Sequence, residues 1–149
     1  MRTRSLVGLL FVATHSVASP NFKDFPASAY AGRAAAVQLT DAKSRDYASA
    51  LRAAAKGKPN FAGHFVLATW GCGASCVMGA AIDAKTGVIA WLPFTVCCWN
   101  MDVNTPLEYR RDSRLLIVHG SRDEQGPGGD THYYAFDGQR FAPLTELRP

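Results

Sequence analysis

Four cysteines carry the clearest chemistry in this chain. Cys72 and Cys76 are spaced as Cys-x3-Cys, while Cys97 and Cys98 are adjacent. All four lie in the stretch Phe61–Asn100, together with Trp70, Trp91 and Trp99. Thiols so placed can close disulfides, ligate a soft metal or exchange electrons. Four cysteines allow three complete pairings. Neighbouring side chains on a regular strand point to opposite faces, so a bond between Cys97 and Cys98 demands unusual local geometry. Bridges from the Cys72/Cys76 loop to the Cys97/Cys98 pair are therefore expected. Parity favours Cys76 with Cys97 and Cys72 with Cys98, with Cys72–Cys76 as the alternative. Cys-x3-Cys fits zinc-ligand spacing, but an adjacent pair of diverging thiols fits a tetrahedral site poorly. A redox catalyst built on Cys-x-x-Cys is not encoded. Structural disulfides are the expected role, with no metal and no cofactor.

A second group of chemically able residues lies near the C-terminus. His119 and His132 bracket Gly120–Thr131, the sequence GSRDEQGPGGDT. If Arg114–His119 and His132–Asp137 are paired strands, the two imidazoles can stand opposite each other. Asp123, Glu124 and Asp130 lie between them and could complete a metal or acid–base site. The plainer reading is a solvated hairpin end, because spacing in a loop fixes no coordination geometry. The glycines and proline mark a surface loop. Arg122, Asp123, Glu124 and Asp130, with His119 and His132 at its ends, make it a candidate binding loop. His64, at the start of a strand, suits a hydrogen-bonded structural role. The tryptophans suit either core packing or a glycan- or protein-contact platform. No Gly-x-Ser-x-Gly, His-Glu-x-x-His or phosphate-loop pattern occurs.

These residues need a scaffold, and its elements are readable. Strands are expected at about His64–Gly71, Val77–Asp83 and Val88–Asn100, the last broken near Pro93, which cannot donate to a ladder. Gly87 suits the tight turn between the second and third. If Asp83 pairs with Val88, the register puts Cys97 and Cys98 opposite Ala74 and Gly73, so all four cysteines crowd one sheet end. The first strand is apolar on both sides, through Phe65 and Leu67 and through Val66, Ala68 and Trp70, so both faces should be covered. Leu107–Arg111, Arg114–His119, His132–Asp137 and Arg140–Leu144 extend the series. A helix is expected over Asp41–Lys56, capped by Thr40 and stopped by Gly57 and Pro59. The predicted fold is α+β: an antiparallel β-sheet meander with one N-terminal α-helix packed on it.

Residues 1–18 read as a secretory signal peptide, with Arg2 and Arg4 before a short apolar run and small residues at Ser16-Val17-Ala18. Cleavage is expected after Ala18 or Ser19. Residues 19–39 form an extended N-terminal arm, and 40–149 a single disulfide-containing β-rich domain. Removing the signal leaves 14 basic and 12 acidic residues, too even a balance for a nucleic-acid partner. No later run is apolar and long enough for a transmembrane segment. The expected location is periplasmic or secreted, where disulfides persist.

The order NFAGHF, TWGCGASC, IDAKTG, SRLLIVHG and YYAFDGQRF resembles a group of small, uncharacterised exported bacterial proteins marked by a Trp-Gly-Cys-Gly-x-x-Cys segment. The likeness covers about Asn60–Leu144. It implies export and a compact β-rich domain, and it supplies no activity. Some members carry further cysteines around the loop matching Gly120–Gly129; this chain has none there. The function expected is a small exported binding or inhibitory protein, more a binder than an enzyme. Its partner would be a protein, a glycan or a cell-envelope component. The alternative is a small exported hydrolase or metal-dependent enzyme using the His119/His132 end.

Overall fold

Helix formation begins where the sequence supplies a cap. The Asp41 carboxylate accepts from the Ser44 N–H at 2.6 Å, and Ser44 Oγ accepts from the Asp41 N–H at 3.1 Å. This reciprocal capping box satisfies donors the first turn leaves open. It starts α1 (Ala42–Asp46), so the cap is Asp41 rather than Thr40. Tyr47 then leaves helical geometry, at φ −100° and ψ 18°, and α2 (Ala48–Ala55) follows. The single helix expected over Asp41–Lys56 is thus two. Tyr47 is tied by its ring to Trp70 and Trp91, with centroids 5.3 and 5.9 Å away. That tertiary anchor overrides a continuous helical propensity. The helices also lie within the chain, behind the arm, and not at its N-terminus.

The structure, a computed structural model, describes residues 18–126 and 128–144. The expected signal peptide therefore lies, but for Ala18, outside the described residues. The fold is α+β and mostly antiparallel sheet, but the strands form two sheets rather than one meander. The first sheet has the order β1 (Phe65–Gly73), β2 (Cys76–Asp83), β4 (Val96–Cys97), β7 (Ser121–Arg122), with β3 (Ile89–Trp91) also on β2. The second has the order β5 (Leu107–Tyr109), β6 (Leu115–His119), β8 (Thr131–Phe136), β9 (Phe141–Pro143).

One core lies between the sheets. Phe65, Leu67, Ala81 and Val96 of the first meet Leu116, Val118, Tyr134 and Phe136 of the second, with Phe61 fully buried among them. The other face of the first sheet presents Val66, Ala68, Ala80 and Ile82 to Leu51 of α2. Both apolar sides of β1 are therefore covered, giving helix, sheet and sheet in three layers. The arm is held by backbone bonds, Ala27 N–H to Asp112 O at 2.8 Å and Gln38 N–H to Gly87 O at 2.8 Å among them. On the outer edge of β1, the Asn60 side chain accepts from the Leu67 N–H at 2.7 Å and donates to the Leu67 carbonyl at 3.3 Å.

A register change decides where the cysteines sit. Ile89, Ala90 and Trp91 oppose Ile82, Ala81 and Ala80, as a Gly87 turn requires. Continued unchanged, this pairing would set Cys97 against Ala74. Instead Val96 opposes Val77 and Cys97 opposes Cys76, two residues further along. The slip is absorbed in Leu92–Thr95, which contains Pro93. Leu92 and Phe94 are both buried in the inter-sheet core, so the inserted residues are held there by packing. Among the described residues no helix is long and apolar enough to cross a membrane.

Candidate functional site

Across β2, β4 and β7, two rows of residues run side by side. Val77, Val96 and Arg122 form one row, and Cys76, Cys97 and Ser121 the next. Val77 and Val96 pack into the inter-sheet core, and Arg122 Nη1 donates to Tyr134 Oη at 2.7 Å. Because side chains alternate along a strand, Cys76, Cys97 and Ser121 share the opposite face, the one that also carries Trp70, Met78 and Trp91.

The cysteines converge at one end of the first sheet, but not with the expected cross-links. Cys72 is bonded to Cys76, and Cys97 to Cys98. The first bridge closes the β1–β2 turn, where Gly73 at φ 141° and Ser75 at φ 50° bring the two Cα atoms to 5.1 Å. For the second, the objection that neighbouring side chains diverge holds only inside a regular strand. Strand β4 ends at Cys97, and Cys98 takes φ 58°, in the left-handed region. The glycine-rich segment is laid on this turn. The Gly129 N–H donates to the Cys98 carbonyl at 3.2 Å, and a Cβ at Gly128 would come within 2.9 Å of that oxygen. A Cβ at Gly120 would run into the Cys97 carbonyl.

The charged residues of the expected binding loop differ in their surroundings. Arg122 reaches the second sheet, as above. The Asp123 carboxylate accepts from the Thr95 N–H at 2.8 Å and the Thr95 hydroxyl at 3.3 Å, bracing the β3–β4 connection. Glu124 and Asp130 remain exposed, while the Asp130 carbonyl accepts from the Gly120 N–H at 2.7 Å. The segment is partly a strand of the first sheet and only partly a surface loop.

The two histidines are not brought together. His132 opposes Val118, and His119 opposes Thr131, a one-residue offset that puts them on opposite faces. His132 is buried on the inter-sheet side, 7% exposed. His119 is on the outer face, with Nε2 2.6 Å from Glu108 Oε1 and Nδ1 3.2 Å from Thr131 Oγ1. The two imidazoles therefore do not stand opposite each other as the sequence suggested. Among the described residues no group of three or more His, Cys, Asp or Glu side chains is placed to hold a metal ion. His64 Nε2 lies 3.6 Å from Asp83 Oδ1. Burial pulls the His64 pKa below its ordinary value, outweighing the attraction of Asp83, and Lys85 pushes the same way as burial.

Sequence reasoning left one concavity beside Trp91 unassigned. A groove of about 420 Å³ opens between α1 and the β3–β4 connection, walled by Lys43, Met78, Trp91, Pro93, Phe94 and Asp123. Trp91 is half-buried there, and Lys43 Nζ sits 4.2 Å from its ring centroid. Tyr47, Trp70 and Trp91 form a mutually contacting aromatic cluster behind it, with the two tryptophan rings 6.0 Å apart. The Trp70 indole N–H is buried with no hydrogen-bond partner among the described residues. Trp99 is not part of this surface and packs against the inter-sheet core. The available signal was alternation, which puts Trp70, Met78 and Trp91 on one face once the strands are paired.

Comparison with known proteins returns no matching family model, no matching curated protein and no matching solved structure.

Proposed function

We propose that the chain is an exported binding protein, periplasmic or secreted, whose contact surface is the groove beside Trp91. The occupant that fits is a glycan of the cell envelope. The apolar face of a sugar ring stacks on an indole, while its hydroxyls bond to flanking charges. Trp91 offers the ring, and Lys43 and Asp123 offer a donor and an acceptor on the groove's rim. The volume lies within the range of small-ligand sites, about 300–1,000 Å³. The observation that carries this reading is the half-buried Trp91 in a groove with one cation and one anion. Export accounts for the Arg2/Arg4 and apolar pattern, suits two disulfides, and agrees with the resemblance to small exported proteins. Sequencing the mature N-terminus tests it, with Ser19 or Pro20 expected and a retained Met1 refuting it.

Tryptophan fluorescence, titrated with soluble N-acetylhexosamine oligosaccharides from envelope material, tests the ligand. A saturable change is expected, abolished by Trp91→Ala at an unfolding temperature within a few degrees of the parent. No response to any oligosaccharide, or Trp91-dependent capture of a protein instead, would reject the glycan.

A further inference from the structure

The four sulfurs are arranged in an order that lets electrons pass through them. Cys72 is exposed, Cys76 half-buried, Cys97 buried at 4% exposure, and Cys98 exposed again. Each bridge joins an accessible sulfur to a less accessible one. The two inner residues, Cys76 and Cys97, are direct cross-strand partners on one face of the sheet. Opposed residues in an antiparallel pair have Cα atoms about 4.5–5.5 Å apart. A disulfide spans about 4.4–6.8 Å between Cα atoms, so a Cys76–Cys97 bond fits the strands where they stand. On the far side of Cys97, Ser121 is its partner in β7. Ser121 is 1% exposed, and among the described residues its Oγ has no hydrogen-bond partner. A buried hydroxyl left without a partner is uncommon and calls for a reason.

We infer that the two bridges are one thiol–disulfide exchange unit, which takes two electrons from an external dithiol at Cys72 and emerges with free thiols at Cys72 and Cys98. A thiolate of the dithiol attacks Cys72 Sγ, the accessible sulfur of the first bridge. The donor–Cys72 bond forms, the Cys72–Cys76 bond breaks, and the electron pair leaves on Cys76. The Cys76 thiolate then attacks Cys97 Sγ across the strand pair. The Cys76–Cys97 bond forms, the Cys97–Cys98 bond breaks, and the pair leaves on Cys98, which takes a proton from water. The second thiol of the donor, giving its proton to water, attacks its own sulfur in the mixed disulfide and releases Cys72, which is protonated. The donor ends as a disulfide, and the protein has gained two electrons and two protons. Negative charge is shared by the three sulfurs during the middle step, and the role given to Ser121, the strand partner of Cys97, is to bring its hydroxyl to that charge. Strands are covalently linked in both states: β1 to β2 through Cys72–Cys76 when oxidised, and β2 to β4 through Cys76–Cys97 when reduced.

The test treats the folded mature protein with one equivalent of dithiothreitol. Acid quenching, alkylation and non-reducing peptide mapping follow. Alkylated Cys72 and Cys98 with a Cys76–Cys97 linked peptide are expected. Alkylation of Cys72 and Cys76 with Cys97–Cys98 intact would overturn the inference, as would any other pair or no reduction at all. Ser121→Ala should slow formation of the cross-strand bridge about fivefold, the loss of one modest hydrogen bond, without lowering the unfolding temperature. An unchanged rate, or a loss of stability that accounts for the slower one, removes the part given to Ser121.

Discussion

Replacing Asp123 with Ala tests whether the polar loop is part of the scaffold. The carboxylate holds Thr95 by two hydrogen bonds, at 2.8 Å from its N–H and 3.3 Å from its hydroxyl. A hydrogen bond to a charged group contributes about 1.5–3 kcal/mol. Asp123 is exposed, so water replaces part of what is lost, and about 1 kcal/mol is the reasonable share. Asp123 also sits at φ 52°, where Asp is tolerated better than Ala, which adds up to about 1 kcal/mol. The expected loss is about 2 kcal/mol, or about 6 °C in unfolding temperature for a domain of this size. Thermal unfolding with both bridges intact is the assay. Asp123→Asn, which keeps an acceptor and the backbone preference, should lose less than half as much. Glu124→Ala has a similar backbone, φ 61°, and an exposed side chain, so it should stay within about 0.5 kcal/mol. If Asp123→Ala is no worse than Glu124→Ala, the brace contributes nothing and the reasoning is wrong.

Phe61→Ala should cost about 3–5 kcal/mol in chemical denaturation, because the ring is fully buried and packs on Phe136 and Phe141 at 5.3 and 6.0 Å. Gly87→Ala should cost at least about 1 kcal/mol and speed proteolysis of the arm. Gly87 has φ 79°, and an added Cβ would collide with the Ala36 carbonyl. The lowered His64 pKa makes the unfolded chain the better proton binder. Stability from this group is therefore complete above the ordinary value of 6.5 and falls as pH drops through the lower folded value. In an NMR titration, Lys85→Met should move the His64 pKa upward; a downward shift would contradict the assigned cause.

What the sequence disclosed was local. Gly87 and the alternation in Phe65–Ala68 identified the turn and the doubly covered strand from neighbouring residues alone. The gathering of the cysteines also followed from pairing β2 with β3. What escaped were offsets of one or two residues whose causes lie far away in the chain. The two-residue slip at Leu92–Thr95 depends on the second sheet accepting Leu92 and Phe94. The one-residue offset between His119 and His132 changes the face of an imidazole, and loop length alone does not fix it. Arg122 reads as a surface charge until Tyr134 of the other sheet is in place. The groove beside Trp91 is assembled from α1, β2, β3 and the β3–β4 connection, so no single stretch announces it.

The Asn60 side chain has a consequence for how the molecule behaves in a crowd of its own copies. A long outer strand offers a ladder of open N–H and C=O groups on which another chain can grow. Here the amide takes the donor and acceptor of Leu67, the slot an incoming strand would claim. A single side chain thus imitates a neighbouring strand without continuing the ladder. Asn60→Ala would reopen that slot beside an apolar strand, and the cost would surface as concentration-dependent assembly more than as a lower unfolding temperature.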